Sequence, residues 1–201
     1  MRFNRSGWLP LLFVSIAALG LAEDKTPFQA KPVASYAHKQ TSEKVTIAAE
    51  QYVTDEQTKD AFGKLNPWRY GVLPVLIVVQ NDSPNAIRLD RAKFVYSLPD
   101  RTKVEATPAT DLKYLNGVKQ PKPVPGPLGG IHVGKSNKNP LAAWEIEGRA
   151  LTIKMLPPGQ SASGFVYFQA PVNSDASSLL ISGLENAATG AELYYFEIPL
   201  K

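Results

Sequence analysis

The chain has 201 residues, 44% of them hydrophobic and 20% charged, with a formal net charge of +4. Such a composition belongs to a folded globular protein and excludes disorder, collagen and coiled coil. The 17 Pro and 14 Gly stand beside no Cys at all, which excludes a Cys-ligated zinc site, a thiol nucleophile, a redox pair and a disulfide framework. His38 and His132 are the only histidines, so no His-rich metal centre is expected, and a Ser-His-Asp triad would have to use one of these two.

Arg2 and Arg5 precede an apolar stretch from Trp8 to Leu21 that ends on Gly20, Leu21 and Ala22. This is the pattern of a secretory signal peptide cleaved after Ala22. An apolar run of about 14 residues falls short of the roughly 20 that a spanning helix needs, and Pro10 interrupts it. The expected product is exported, periplasmic or extracellular, without a membrane span or lipid-accepting Cys. Cleavage takes Arg2 and Arg5 from the 22 basic residues, leaving 20 against 18 acids. A net charge of +2 does not by itself argue for nucleic acid or an anionic membrane.

Glu23 to about residue 42 reads as a flexible polar leader containing Pro27 and Pro32, ahead of a single domain over 43–201. Val45, Ile47 and Ala49 then alternate with Lys44, Thr46 and Glu50, the two-residue period of a half-buried strand. Thr54 and Gln57 have capping-box spacing, Asp55 and Glu56 occupy a first turn, and Gly63 is a stop signal, so a short helix is expected between them. The continuous apolar run Val75 to Val79 predicts a central strand covered on both faces, ended by Asn81, Asp82, Ser83 and Pro84. Ala92, Phe94, Tyr96 and Leu98 share one face of the next strand, and Pro99 and Asp100 fit the middle of a tight turn.

Residues 115–140 carry Pro121, Pro123, Pro125, Pro127, Gly129 and Gly130 and read as a long loop insertion. No acid stands between Asp111 and Glu145, whereas Lys113, Lys119, Lys122, Lys135 and Lys138 do. Pro140 to Gly148 fits either a short helix capped by Asn139 or the start of a strand through Trp144 and Ile146. Leu151, Ile153 and Met155 alternate, a Pro157-Pro158-Gly159 turn follows, and Phe165 to Phe168 is apolar on both faces. The last strands are expected at Leu179 to Ser182 and Leu193 to Ile198, with Tyr194, Phe196 and Ile198 on one face.

Short strands punctuated by Pro, Gly and Asn turns, with one or two short helices, predict an all-β antiparallel sandwich, a barrel being the alternative. Val75 to Val79 running into Asn81-Asp82-Ser83, and later Pro158, Gly159, Gln160, Ser161, Gly164 and Phe165 to Phe168, resemble uncharacterised exported bacterial proteins of immunoglobulin-like type. The order is similar in outline to telokin-like secreted domains. The resemblance implies an immunoglobulin-like sandwich over about Lys44 to Lys201 and brings no catalytic residues. The chain departs from the lipoprotein members of those families by lacking the lipid-accepting Cys.

No catalytic residue, metal or cofactor is expected. Asp55, Glu56 and Asp60 are explained by a solvated helix face, Asp82 and Asp90 by turn capping, Ser161 and Ser163 by turn hydrogen bonds, and both histidines by exposure. Asn81-Asp82-Ser83 matches a glycosylation sequon, followed by Pro84. The candidate binding residues form two groups. Trp68, Arg69 and Tyr70 lie in irregular backbone between Pro67 and Gly71, where two rings and a guanidinium can project together or cover the sandwich bottom. Lys119, Lys122, His132, Lys135 and Lys138 lie in the basic loop. The expected function is therefore non-enzymatic binding of a protein or cell-envelope partner through the loop or a strand edge. A glycan- or peptidoglycan-binding module using Trp68 and Tyr70 is the alternative.

Overall fold

The computed structural model describes residues 28–115, 124–125, 131–132, 139–170 and 178–200. In chain order the elements are β1 (Lys39–Ser42), β2 (Val45–Gln51), α1 (Asp55–Phe62), β3 (Leu73–Asn81), β4 (Ile87–Arg88), β5 (Lys93–Ser97) and β6 (Lys103–Glu105). There follow β7 (Val124–Pro125), β8 (Ile131–His132), α2 (Trp144–Gly148), β9 (Met155–Leu156), β10 (Ser161–Phe168), β11 (Ser178–Ser182), β12 (Glu185–Asn186) and β13 (Phe196–Pro199). One antiparallel sheet has the order β1-β2-β3-β10 and a second the order β13-β11-β5-β6. A small antiparallel sheet β12-β4-β9 and the two-residue pair β7-β8 are also formed. The protein is a β-sandwich with few helices.

The run Val75–Val79 is explained by two cores rather than one. Val75, Ile77 and Val79 face the second sheet with Val45, Ile47, Tyr96, Phe168, Leu179, Ile181 and Phe196. Leu76 and Val78 point the other way, into a second cluster with Phe165 and Tyr167 of β10, Ala61 and Phe62 of α1, and Ile146 of α2. Because successive side chains alternate across a strand, a strand buried on both faces reads as continuously apolar. The helices are thus lids on the outer face of the first sheet.

Helix α1 begins as its sequence requires. Thr54 Oγ1 accepts from Gln57 N–H at 3.2 Å, the Gln57 side chain returns to Thr54 N–H at 3.3 Å, and Gly63 ends the helix at φ 67°. The strand β3 ends at Asn81, which is wholly buried. Its amide nitrogen donates to the carbonyls of Asn85 and Leu156, and its oxygen accepts from the Ser83 N–H and hydroxyl. Of the two side chains expected to cap this turn, Asn81 does so and Asp82 accepts from the Gln80 side chain instead, and the burial of Asn81 withdraws the sequon from the surface.

Several sequence expectations are corrected. Residues 28–42 are not a free arm in the described structure, because β1 pairs with β2 and Tyr36 is buried beside a 3-10 turn at Val33–Ser35. Phe28 reaches Phe165 and Tyr52, with ring centroids 5.4 and 6.0 Å away. These anchors have no regular period, so pattern alone does not reveal them. His38 is half-buried, and its carbonyl accepts from Ala49 N–H, extending the ladder. Pro140 to Gly148 resolves as a 3-10 turn at Pro140–Ala142 followed by α2. Leu151 to Met155 contributes only Met155–Leu156 as strand, and Tyr194 is exposed rather than sharing the buried face of Phe196 and Ile198.

The sides of the sandwich are partly sealed. Gln40 Oε1 of β1 accepts from Glu197 N–H of β13 at 2.6 Å, and Glu43 Oε1 accepts from Tyr194 N–H at 3.1 Å. On the opposite side, the chain after β6 crosses between sheets, with Ala106 N–H bonded to Phe94 and Thr107 N–H to Tyr167 of β10. Side-chain acceptors and a switching strand thus occupy groups that would otherwise template another chain.

Candidate functional site

The residues Trp68, Arg69 and Tyr70 are not brought together on one surface. They form a 3-10 turn, Pro67–Tyr70, capped by Asn66 and ended by Gly71 in the left-handed region at φ 76°. Trp68 is half-buried and packs against the core between the sheets, which is the covering role weighed for it above. Arg69 points outward and pairs with Asp55 at the start of α1. The carboxyl of Asp55 is held below its ordinary range by the Asn66 amide first and the Arg69 guanidinium second. Tyr70 is exposed at 42%.

Lys119, Lys122, Lys135 and Lys138 lie outside the described residues. His132 is placed in β8, where it pairs with Val124. What is described is the root of that segment. The chain leaves through a 3-10 turn, Ala109–Tyr114, and returns at Asn139. The Asn139 amide donates to the Lys113 carbonyl at 2.6 Å, and its oxygen caps Leu141 N–H at 3.1 Å. Asn139 therefore belongs to the folded body and not to the loop insertion.

Two large aromatic residues that sequence reasoning left unassigned stand at this root. Tyr114 is 73% exposed and Trp144 65% exposed. Neither hangs freely. Lys113 Nζ lies 5.5 Å from the Tyr114 ring centroid and 3.2 Å from Glu147 Oε1 of α2. The Trp144 ring lies so close over Gly148 that a Cβ there would be 2.9 Å from it, and the Arg149 guanidinium sits 5.9 Å from its centroid. Arg149 also lies 5.6 Å from the Phe28 ring and donates to the Asp60 carbonyl. Burial lowers the pKa of that guanidinium, with the Glu145 charge opposing the shift.

The helix α2 that carries Trp144 is fixed from below. Tyr167, buried in β10, donates its hydroxyl to the Ile146 carbonyl at 2.8 Å. Burial pushes the Tyr167 pKa well above the ordinary tyrosine range. The chain after α2 lies against β10, with Phe165 N–H bonded to Arg149 and Leu151 N–H bonded to Phe165. Held rings with outward faces are suited to contact, because little side-chain freedom remains to be lost on binding. The Asn139 cap and Pro140 were the visible signal in the sequence; the exposure of Trp144 was not, since a tryptophan is usually mostly buried.

The other named groups are engaged locally. Asp82 accepts from the Gln80 amide, and Asp90 pairs with Arg88, which together with Arg91 also meets Glu185. Among the described residues, no group of three or more His, Asp or Glu is arranged to hold a metal ion. Among the same residues, no helix is long and apolar enough to cross a membrane.

No family model matches the chain, and no curated protein matches it. Among solved structures it is similar to the structural-genomics target SoR45, at 7% identity and TM-score 0.33, covering 80% of this chain and 90% of that one. It is also similar to a functionally unknown protein from Listeria monocytogenes EGD-e, at 13% identity and TM-score 0.32, covering 81% and 82%. Likenesses this weak carry no argument about fold family or function.

Proposed function

We propose that the protein is an exported, non-enzymatic sandwich of immunoglobulin-like type that binds an anionic component of the cell envelope. The contact surface is the lysine-rich segment 116–138 together with Tyr114 and Trp144 at its root. The observation that carries this reading is the exposure of those two rings beside the point where Asn139 ties the segment to Lys113. Within the described root the charges balance, Lys113 against Glu147 and Arg149 beside Glu145. The uncompensated charge is that of Lys119, Lys122, Lys135 and Lys138.

Charge on the segment supplies attraction that salt screens, and the fixed rings supply contact that salt leaves largely untouched. The immunoglobulin-like reading is supported by two four-stranded antiparallel sheets packed face to face. The export reading is supported by the pattern of residues 1–22. The glycan alternative is weakened at its proposed centre, because the Trp68 ring is committed to the core.

The test is co-sedimentation with washed envelope fractions over a salt series, beside a variant with Lys119, Lys122, Lys135 and Lys138 replaced by Gln. Retention that fades with salt and is lost in the variant supports the proposal. Retention indifferent to both, or none at low salt, refutes it.

A further inference from the structure

A second surface, on the far side of α1, has the makings of a ligand site. Two adjoining cavities of about 480 and 470 Å³ share Lys31, Tyr36, Glu50 and Gln57. Their size lies within the range of small-molecule sites. The second is built by three segments. Strand β2 contributes Glu50, and Tyr52, one residue past the strand's end, follows it on the same outer face by alternation. Helix α1 contributes Glu56 and Asp60, four residues apart and so on one face. The 28–38 segment contributes Phe28 and Tyr36.

Two independent features of this cavity point to a ligand. The first is charge. Glu50, Glu56 and Asp60 line it, and among the described residues none has an ion-pair partner. Glu50 accepts only a long bond from the Gln57 amide, at 3.4 Å. Lys31 is the cationic residue lining the same space. The second is Tyr52. It is only 9% exposed, yet its hydroxyl has no hydrogen-bond partner among the described residues. The other buried tyrosines nearby are paired, Tyr36 accepting from Lys31 N–H and Tyr167 donating to Ile146. No fully buried polar side-chain atom is left unsatisfied, so the Tyr52 oxygen opens on the cavity that its residue lines.

We infer that this cavity binds an aliphatic amine bearing two or more ammonium groups. An ammonium donates to the Tyr52 oxygen and to carboxylate oxygens, while a methylene stem lies along Phe28. The carboxylates repel an anion. They are also not convergent enough to close on one metal ion, whereas ammonium groups spaced along a flexible chain can meet them separately. The same chemistry is offered by a free polyamine and by the lysine side chains of a polypeptide.

The test is isothermal titration of the whole chain at low ionic strength with two probes, spermidine and an end-blocked Lys-Lys dipeptide. At least one is expected to bind, the tighter probe identifying the source of the amine. Tyr52→Phe, which keeps the ring packed on Phe165, is expected to weaken that binding about fivefold, and Glu56→Gln and Asp60→Asn about tenfold each. Glu105→Gln, on the other sheet, serves as the control for general surface charge and should leave it unchanged. Absence of binding by both probes overturns the inference, as does binding that the three cavity variants leave intact or that Glu105→Gln weakens equally.

Discussion

The side-chain amide of Asn139 spans 2.6 Å to the main-chain carbonyl of Lys113 and so ties together the two points where residues 116–138 depart from and rejoin the sandwich. The same side chain caps the turn that leads into α2 and Trp144. Replacing it removes a cap and leaves a half-buried carbonyl without its donor. Asn139→Ala should lower stability by about 1–2 kcal/mol. Urea unfolding measures this, and proteolysis should show earlier cleavage beside Tyr114 than in the parent. An unchanged midpoint would mean that the tie contributes nothing.

Asn81 is the polar centre of the opposite end of the sandwich. Truncation strands the Leu156 carbonyl and the Ser83 N–H in a buried place, while the Ser83 hydroxyl keeps its bond to the Asn85 carbonyl. Asn81→Ala should therefore cost about 3 kcal/mol, more than an ordinary surface cap. Chemical denaturation of the purified variant checks this. Asp82→Ala, whose carboxylate meets only the Gln80 side chain among the described residues, is the contrasting variant with little expected effect.

Gly164 is required by a close approach rather than by its φ angle. A Cβ there would stand 2.5 Å from Leu151 Cα and 2.6 Å from Leu151 N, both backbone atoms that cannot swing aside. Gly164→Ala should push residues 149–151 off β10, breaking the Phe165 bonds to Arg149 and Leu151 at 2.8 and 3.0 Å. A loss of about 3 kcal/mol is expected from such overpacking. Amide exchange at Phe165 and Leu151 should accelerate more than in β11.

The pH dependence should be strongest on the alkaline side. Tyr36, Tyr52 and Tyr167 all have pKa values raised above the ordinary 10.0, with burial the leading cause in each and the Glu50 charge adding to it at Tyr36 and Tyr52. A raised folded-state pKa means that, above pH 10, the native chain retains protons that the unfolded chain has lost. Stability is thus fully present below about pH 10 and declines as pH rises through the folded-state values. Tyr167 alone should contribute a slope of about 1.4 kcal/mol per pH unit in that window. Tyr167→Phe should make the alkaline decline shallower, as followed by thermal unfolding between pH 9 and 12. A profile identical to the parent would contradict the assignment.

The legible parts of the fold were those in which local chemistry and burial agree. Thr54 and Gln57 cap α1 because that motif satisfies its own backbone groups, and Val75 to Val79 announce double burial by having no polar face. Phe28 and Tyr36 were not legible, since single anchors separated by polar residues form no period. Trp68 was legible only as a choice: irregular backbone left projection and covering both open, and the turn takes the covering course by sending the ring inward. Trp144 was read only as part of a strand or helix, because exposure of a large ring depends on tertiary neighbours such as Gly148 and Arg149. Most of the basic segment carries its information as charge alone.

The measurement that bears most directly on the proposed binding surface is the affinity of Tyr114→Ala/Trp144→Ala for washed envelope fractions over the same salt series as the parent. The rings supply contact that is not ionic, so affinity should fall about tenfold, roughly 1.4 kcal/mol, with the salt dependence preserved. An affinity equal to that of the parent at every salt concentration would contradict a binding role for the root of the segment.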